Sequence, residues 1–207
     1  STGGIAIPML LRKLGVTDII ELNCEVTGEF AHNPEPLAVN LVDTCAKVKE
    51  VGADFGIVVD PDVDRLAIVC ENGEMFGEEY TLVAVADYIL SQGVGNTASN
   101  LSSSRALRDV TEKHGGLYAA SAVGEVNVVA KMRETDAVIG GEGNGGVIFP
   151  ELHYGRDALV GVALFLSLLA HKGCRVSELK ATYPQFHISR NKIQLTPDID
   201  VDRVLAI

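Results

Sequence analysis

Phe55-Gly56-Ile57-Val58-Val59 runs into Asp60-Pro61-Asp62-Val63-Asp64-Arg65, and the chain resumes as Leu66-Ala67-Ile68-Val69-Cys70 before turning at Asn72-Gly73. The first run is apolar and β-branched, the pattern of a buried parallel strand, and ligands of open α/β sheets bind beyond such strand ends. Three carboxylates crowd one tight loop with only Arg65 beside them as a cation, an arrangement that demands a counter-ion. Hard oxygen ligands suit Mg²⁺ or Ca²⁺, and Mg²⁺ commonly combines a few carboxylates with a phosphate oxygen. A solvated acidic turn is the plain alternative. A calcium hand is a closer rival, because Asp60, Asp62, Asp64 and Glu71 fall at its first, third, fifth and twelfth loop positions. Its sixth position needs glycine, however, and here is Arg65. A haloacid-dehalogenase-like phosphatase also places D-x-D after an apolar strand, but Asp64 stands where that pattern prefers Thr or Val.

Upstream, Ser1 to Gly4 is a turn opening a helix through Leu11 that Gly15 closes, with Pro8 tolerated in its first turn. Thr17 to Leu22 reads as a strand, so the chain is expected to begin inside a β-α-β unit whose first strand is absent. An apolar sheet edge exposed there would favour pairing of two copies, a homodimer. Pro34 and Pro36 mark a loop, and helical spacing from Leu37 predicts a helix ending at Gly52.

Downstream, the alternation restarts: helix 79–90, strand 97–101, helix 105–113, strand 117–120, helix 125–134 and strand 137–139. That last strand ends in a second glycine-rich loop, Gly140-Gly141-Glu142-Gly143-Asn144-Gly145-Gly146, followed by an apolar helix from Ala158 to Ala170 with Asp157 as its cap. The expected fold class is α/β, two successive β-α-β mixed-sheet domains. Their expected bounds are 1–78 and 79–175, with 176–207, including a strand at 188–195, leading into a further domain.

The 207 residues carry a net charge of −11, which would repel nucleic acid and anionic membrane surfaces, so neither is expected as a partner. The longest apolar run is too short for a membrane span, which needs about 20 residues. Four scattered cysteines without a C-x-x-C pair point to neither a disulfide framework nor a zinc site, and with no leader pattern the expected compartment is the cytoplasm.

V-V-D-P-D-V-D-R-L resembles the D-x-D-x-D-R metal loop of the α-D-phosphohexomutases, and G-E-G-N-G-G resembles their sugar loop, G-E-x-S-G-H. T-G-G before the first helix, H-N-P-E-P and V-G-E-V-N-V are similar to stretches of that family's second and third domains. The resemblance implies a four-domain, Mg²⁺-dependent enzyme that moves a phosphoryl group between O6 and O1 of a hexose phosphate, by way of a phosphoserine and a hexose 1,6-bisphosphate. By matching position it implies Asp60, Asp62 and Asp64 as metal ligands and Arg65 as the catalytic cation. Glu142, Asn144 and Gly146 would be substrate-binding, with Gly146 replacing the usual histidine. Glu125 is a further substrate-binding candidate, or else a first-turn carboxylate complementing its helix dipole. The nucleophile motif T-A-S-H-N-P has only a faint echo at Phe30-Ala31-His32-Asn33-Pro34, where alanine stands in place of serine. No nucleophile is expected in this chain; Ser103 or Ser104 is read as a helix cap.

Overall fold

The computed structural model describes residues 1–186 and residue 188; apart from Ile188, the strand expected at 188–195 lies outside the described residues. Helix α1 (Gly3–Lys13) begins five residues before Pro8, which therefore sits in the second turn rather than the first and cannot donate to the Gly4 carbonyl. A 3₁₀ turn at Ala38–Asn40 precedes α2 (Val42–Val51), which Gly52 ends in the left-handed conformation.

Strand β1 (Phe55–Val59) pairs antiparallel with β2 (Leu66–Cys70), Val59 opposite Leu66. The parallel strand expected at β1 is thus corrected. A loop of six residues, 60–65, can return the chain only as a hairpin, because a parallel neighbour needs a crossover of a dozen residues or more. Thr17–Leu22 is not a strand either. A cavity of about 550 Å³ lies between that segment and β1, so its backbone has no ladder to join, and Ile20 stays exposed.

The second sheet has the order β4-β3-β5-β6, built from β3 (Asn96–Asn100), β4 (Tyr118–Ser121), β5 (Ala137–Glu142) and β6 (Gly146–Ile148). β3 is parallel to β4 and to β5, while β6 folds back antiparallel on β5. Helix α5 (Glu125–Glu134) covers one face through Val128 and Met132, which pack on Ala98, Ala137 and Ile148. On the other side lie α3 (Glu78–Gln92), α4 (Ala106–Lys113) and α6 (Ala158–Lys172).

One apolar cluster runs from Leu66, Ile68 and Cys70 of β2 through α3 to Phe165 and Leu168 of α6. Phe76 is fully buried there, edge-on to Phe165 at 5.2 Å. The hairpin is also stitched to the second sheet by backbone: Leu66 N–H donates to the Gly145 carbonyl at 3.0 Å, and Ala158 N–H to the Val63 carbonyl at 3.0 Å. A Cβ at Gly161 would come 3.0 Å from Leu66 Cδ2, so glycine lets α6 settle against β2. These contacts fix the aspartate loop against the glycine loop. Helix α7 (Val176–Ala181) docks on the end of β2, where the Glu71 carboxylate accepts from both the N–H and the hydroxyl of Ser177.

Candidate active site

Asp60, at the end of β1, is only 1% exposed. Its Oδ1 accepts from the backbone N–H groups of Asp64 and Arg65, both at 3.0 Å, and its Oδ2 from Arg65 Nε at 2.5 Å. Burial pushes this carboxyl up, but the hydrogen bonds from Arg65 outweigh it and hold Asp60 below the usual carboxylate range. Arg65 also grips Glu35 with two nitrogens, Nη1 at 2.5 Å and Nη2 at 3.1 Å, so that residue's guanidinium is pinned from two sides.

The remaining aspartates are less satisfied. Asp62 is exposed, and Asp64 is pushed up to about 6 by burial and by Asp60 beside it, with Arg156 acting the other way. Asp64 Oδ1 is buried without a hydrogen-bond partner among the described residues. Leaving a buried carboxylate oxygen unmet is costly, and a cation removes the cost. Asp60, Asp62 and Asp64 offer oxygens all within 4.8 Å of one another, a hard-oxygen set that fits Mg²⁺. Val63 holds φ at +62°, a backbone setting that β-branched residues rarely take, and so keeps the loop tightly wound.

Glu142 ends β5 at the carboxyl edge of the second sheet. Its Oε1 accepts from Asn100 Nδ2 at 2.7 Å and from Gly124 N–H at 3.2 Å, and its Oε2 from Arg156 Nη1 at 2.9 Å. The same guanidinium reaches Glu125 through Nε at 3.0 Å and Asp64 through Nη2 at 2.5 Å. One arginine thus joins the aspartate loop, the glycine loop and the start of α5.

Arg156 and Asn100 belong to no motif in the sequence, and Glu35 stands out only as part of H-N-P-E-P. Asn100 was findable as a polar residue closing a strand at the ligand edge, whereas nothing local singles out Arg156. Glu125 opens α5, the place of a first-turn carboxylate, and accepts from Arg156 Nε. Asn144 turns its Oδ1 back to the Gly146 N–H at 3.2 Å and shapes the loop. Asp157 caps α6 as expected, accepting from Leu159 and Val160. Ser104 Oγ accepts from Ala106 N–H, while Ser102 and Ser103 donate to Asn100 Oδ1. The calcium hand loses its twelfth ligand, because Glu71 is bound to Ser177.

Residues 1–73 match the family model for phosphoglucomutase/phosphomannomutase alpha/beta/alpha domain II, and residues 77–186 match that for domain III. A phosphoglucomutase/phosphomannomutase of Thermococcus kodakarensis is 35% identical over 198 residues, covering 95% of this chain and 43% of that protein. A phosphomannomutase/phosphoglucomutase of Pseudomonas putida is 33% identical over 203 residues, covering 96% of this chain and 42% of that one. The crystal structure of a phosphoglucomutase/phosphomannomutase family protein from Burkholderia thailandensis superposes with a TM-score of 0.79 at 31% identity, over 89% of this chain and 42% of that one. The chain therefore spans less than half the length of these relatives. Among the described residues no helix is long and apolar enough to cross a membrane. With both family models in chain order along it, this chain belongs to the phosphoglucomutase/phosphomannomutase family.

Proposed function

We propose that this chain forms the cation-binding and sugar-recognition walls of a phosphosugar mutase that moves a phosphoryl group between O6 and O1 of a hexose phosphate. The observation that supports it most is the meeting of the two loops at a single guanidinium, with Asp64 Oδ1 left for a cation. In this reading Asp60, Asp62 and Asp64 hold Mg²⁺, which when bound offsets the charge spread over a transferring phosphoryl group. Arg65, immobilised by Asp60 and Glu35, sets a fixed positive charge beside that group.

Glu142 is oriented by Asn100, Gly124 and Arg156, and its remaining lone pairs accept from sugar hydroxyls. Asn144 and Gly146 form the adjoining turn, and Glu125 lines the same wall. A hexose 1,6-bisphosphate serves as intermediate and activator of the full enzyme, formed through a phosphoserine. Among the described residues the candidates weighed do not take that part in this reading: Ala31 has no hydroxyl, and Ser102 and Ser103 donate to Asn100. The bounds 1–78 and 79–175 are retained as the two domains in this reading.

The test is a coupled assay of the full-length protein with mannose, glucose and glucosamine phosphates. Turnover of at least one is expected, and Glu142→Gln should lower kcat/KM about ten- to a hundredfold, the loss of a charge-assisted hydrogen bond. Full activity in that variant, or no turnover of any hexose phosphate, would count against the reading.

A further inference from the structure

We propose that Arg156 is a positioning residue that couples cation binding at the aspartate loop to the setting of Glu142, and that glycine at position 146 is what admits it. The inference rests on the cation-binding reading above and goes beyond it in joining the two loops energetically. Three carboxylates share this one guanidinium: Asp64 at 2.5 Å, Glu142 at 2.9 Å and Glu125 at 3.0 Å. Asp64 alone belongs to both sets, with Oδ2 on Arg156 and Oδ1 buried without a hydrogen bond among the described residues, its nearest ion-pair partner Arg65 Nε at 3.6 Å.

Were Asp64 to hold a divalent ion, its carboxylate would have less charge left for Arg156 Nη2, and the guanidinium would be repelled. Arg156 then leans on Glu142 and Glu125, and its hydrogen bond to Glu142 strengthens. Linkage makes the effect reciprocal: whatever strengthens the Glu142 side eases entry of the ion.

The backbone on both sides is fixed. Arg156 is bridged to Ile148 and is followed directly by the Asp157 cap of α6, so freedom is left mainly to the side chain. Its stem crosses the glycine loop at Gly146, where an added Cβ would lie 2.5 Å from Arg156 Cδ and 3.1 Å from Cγ. Any side chain at 146 therefore pushes the arginine aside, although residue 146 offers no ligand to a cation itself. This gives a second, independent handle on the same contact.

The experiment is calorimetric titration of this chain with MgCl₂, repeated with MnCl₂, alongside melting with and without the ion. A mere structural clamp would weaken ion binding when broken, whereas coupling reverses the sign. Arg156→Gln should bind the ion about tenfold tighter than wild type and show a larger ion-induced rise in Tm, because a competing charge has gone. Gly146→Ala should move affinity the same way by about threefold or more, and Arg156→Lys, which keeps the charge, should fall between wild type and Arg156→Gln. Should Arg156→Gln fail to fold, the Gly146→Ala and Arg156→Lys pair carries the same comparison. Unchanged or weaker ion binding in the folded variants overturns the coupling. Asp62→Asn separates the two readings: if it leaves ion affinity intact, the cation site itself is wrong, whereas if it abolishes binding while Gly146→Ala changes nothing, only the coupling falls.

Discussion

Arg156 Nη2 lies 2.5 Å from Asp64 Oδ2, joining the loop that ends β1 to the residue that precedes the cap of α6. The two residues are far apart in sequence, and their meeting turns two separate strand-end loops into one electrostatic unit. Around it the sign of charge alternates, from Glu35 to Arg65 to Asp60, and from Asp64 to Arg156 to Glu142. The expected consequences can be tested one at a time.

Asp60→Asn should destabilise the chain more than any other aspartate change in the loop. The side chain is buried and accepts from two backbone N–H groups and from Arg65 Nε, so neutralising it leaves the arginine Glu35 and the more distant Asp64. A loss of about 3 kcal/mol is expected from breaking one side of such a pair. Denaturant unfolding gives the value; a loss no larger than that of Asp62→Asn would show that Asp60 is not the structural anchor of the loop.

Val63→Gly should separate folding from binding. Glycine relieves the positive φ at this position, worth about 1 to 2 kcal/mol, but forfeits the partial packing of the valine side chain against the core. Net stability is expected to stay within about 1 kcal/mol of wild type. Cation affinity should drop nonetheless, since the loop then samples more conformations before it binds. Equal affinity in the two proteins would mean that the strained turn has no part in holding the ligands.

Much of this was legible in the sequence, for a reason visible at Val59–Asp60 and Ile139–Glu142. An apolar run broken by a polar or glycine cluster marks where a strand ends, and in an α/β fold that edge collects ligands. Caps such as Asp157 are equally local and were found. The direction of β1 was not, because an apolar run looks alike in parallel and antiparallel pairs, and only the shortness of the aspartate loop could have decided it. Thr17–Leu22 has the residue types of a strand, but strands need neighbours and this segment has none among the described residues. The contacts of Arg156 with Asp64, Glu125 and Glu142, of Asn100 with Glu142 and of Glu35 with Arg65 all reach 14 residues or more along the chain, and spacing within a segment carries no information about such meetings.

Acid should loosen α7 through Glu71. Burial works against its charge, but hydrogen bonds from the Ser177 hydroxyl and backbone hold its pKa below the ordinary 4.5. A depressed carboxylate stabilises the fold above its unfolded pKa, and that contribution fades as pH falls through the folded value. Stability of wild type relative to Glu71→Gln should therefore be constant above about pH 5 and shrink below about 4.5. The difference between the two melting curves against pH isolates this carboxylate from Asp60 and Glu35, which titrate in the same sense. A flat difference would show that Glu71 does not hold α7 through its charge.

In the proposed reading the aspartate loop is a divalent-cation site, and Asp62 is the ligand that can be removed with least disturbance to the fold. Asp62 is exposed, and no hydrogen bond or ion pair of its own is seen among the described residues, so replacing it should leave the fold intact. Calorimetric titration of Mg²⁺ into wild type and Asp62→Asn should show saturable binding in the first and affinity lower by about tenfold or more in the second, with equal melting temperatures in the absence of the ion. Indistinguishable Mg²⁺ affinity in the two proteins would mean that the aspartate loop does not hold the cation.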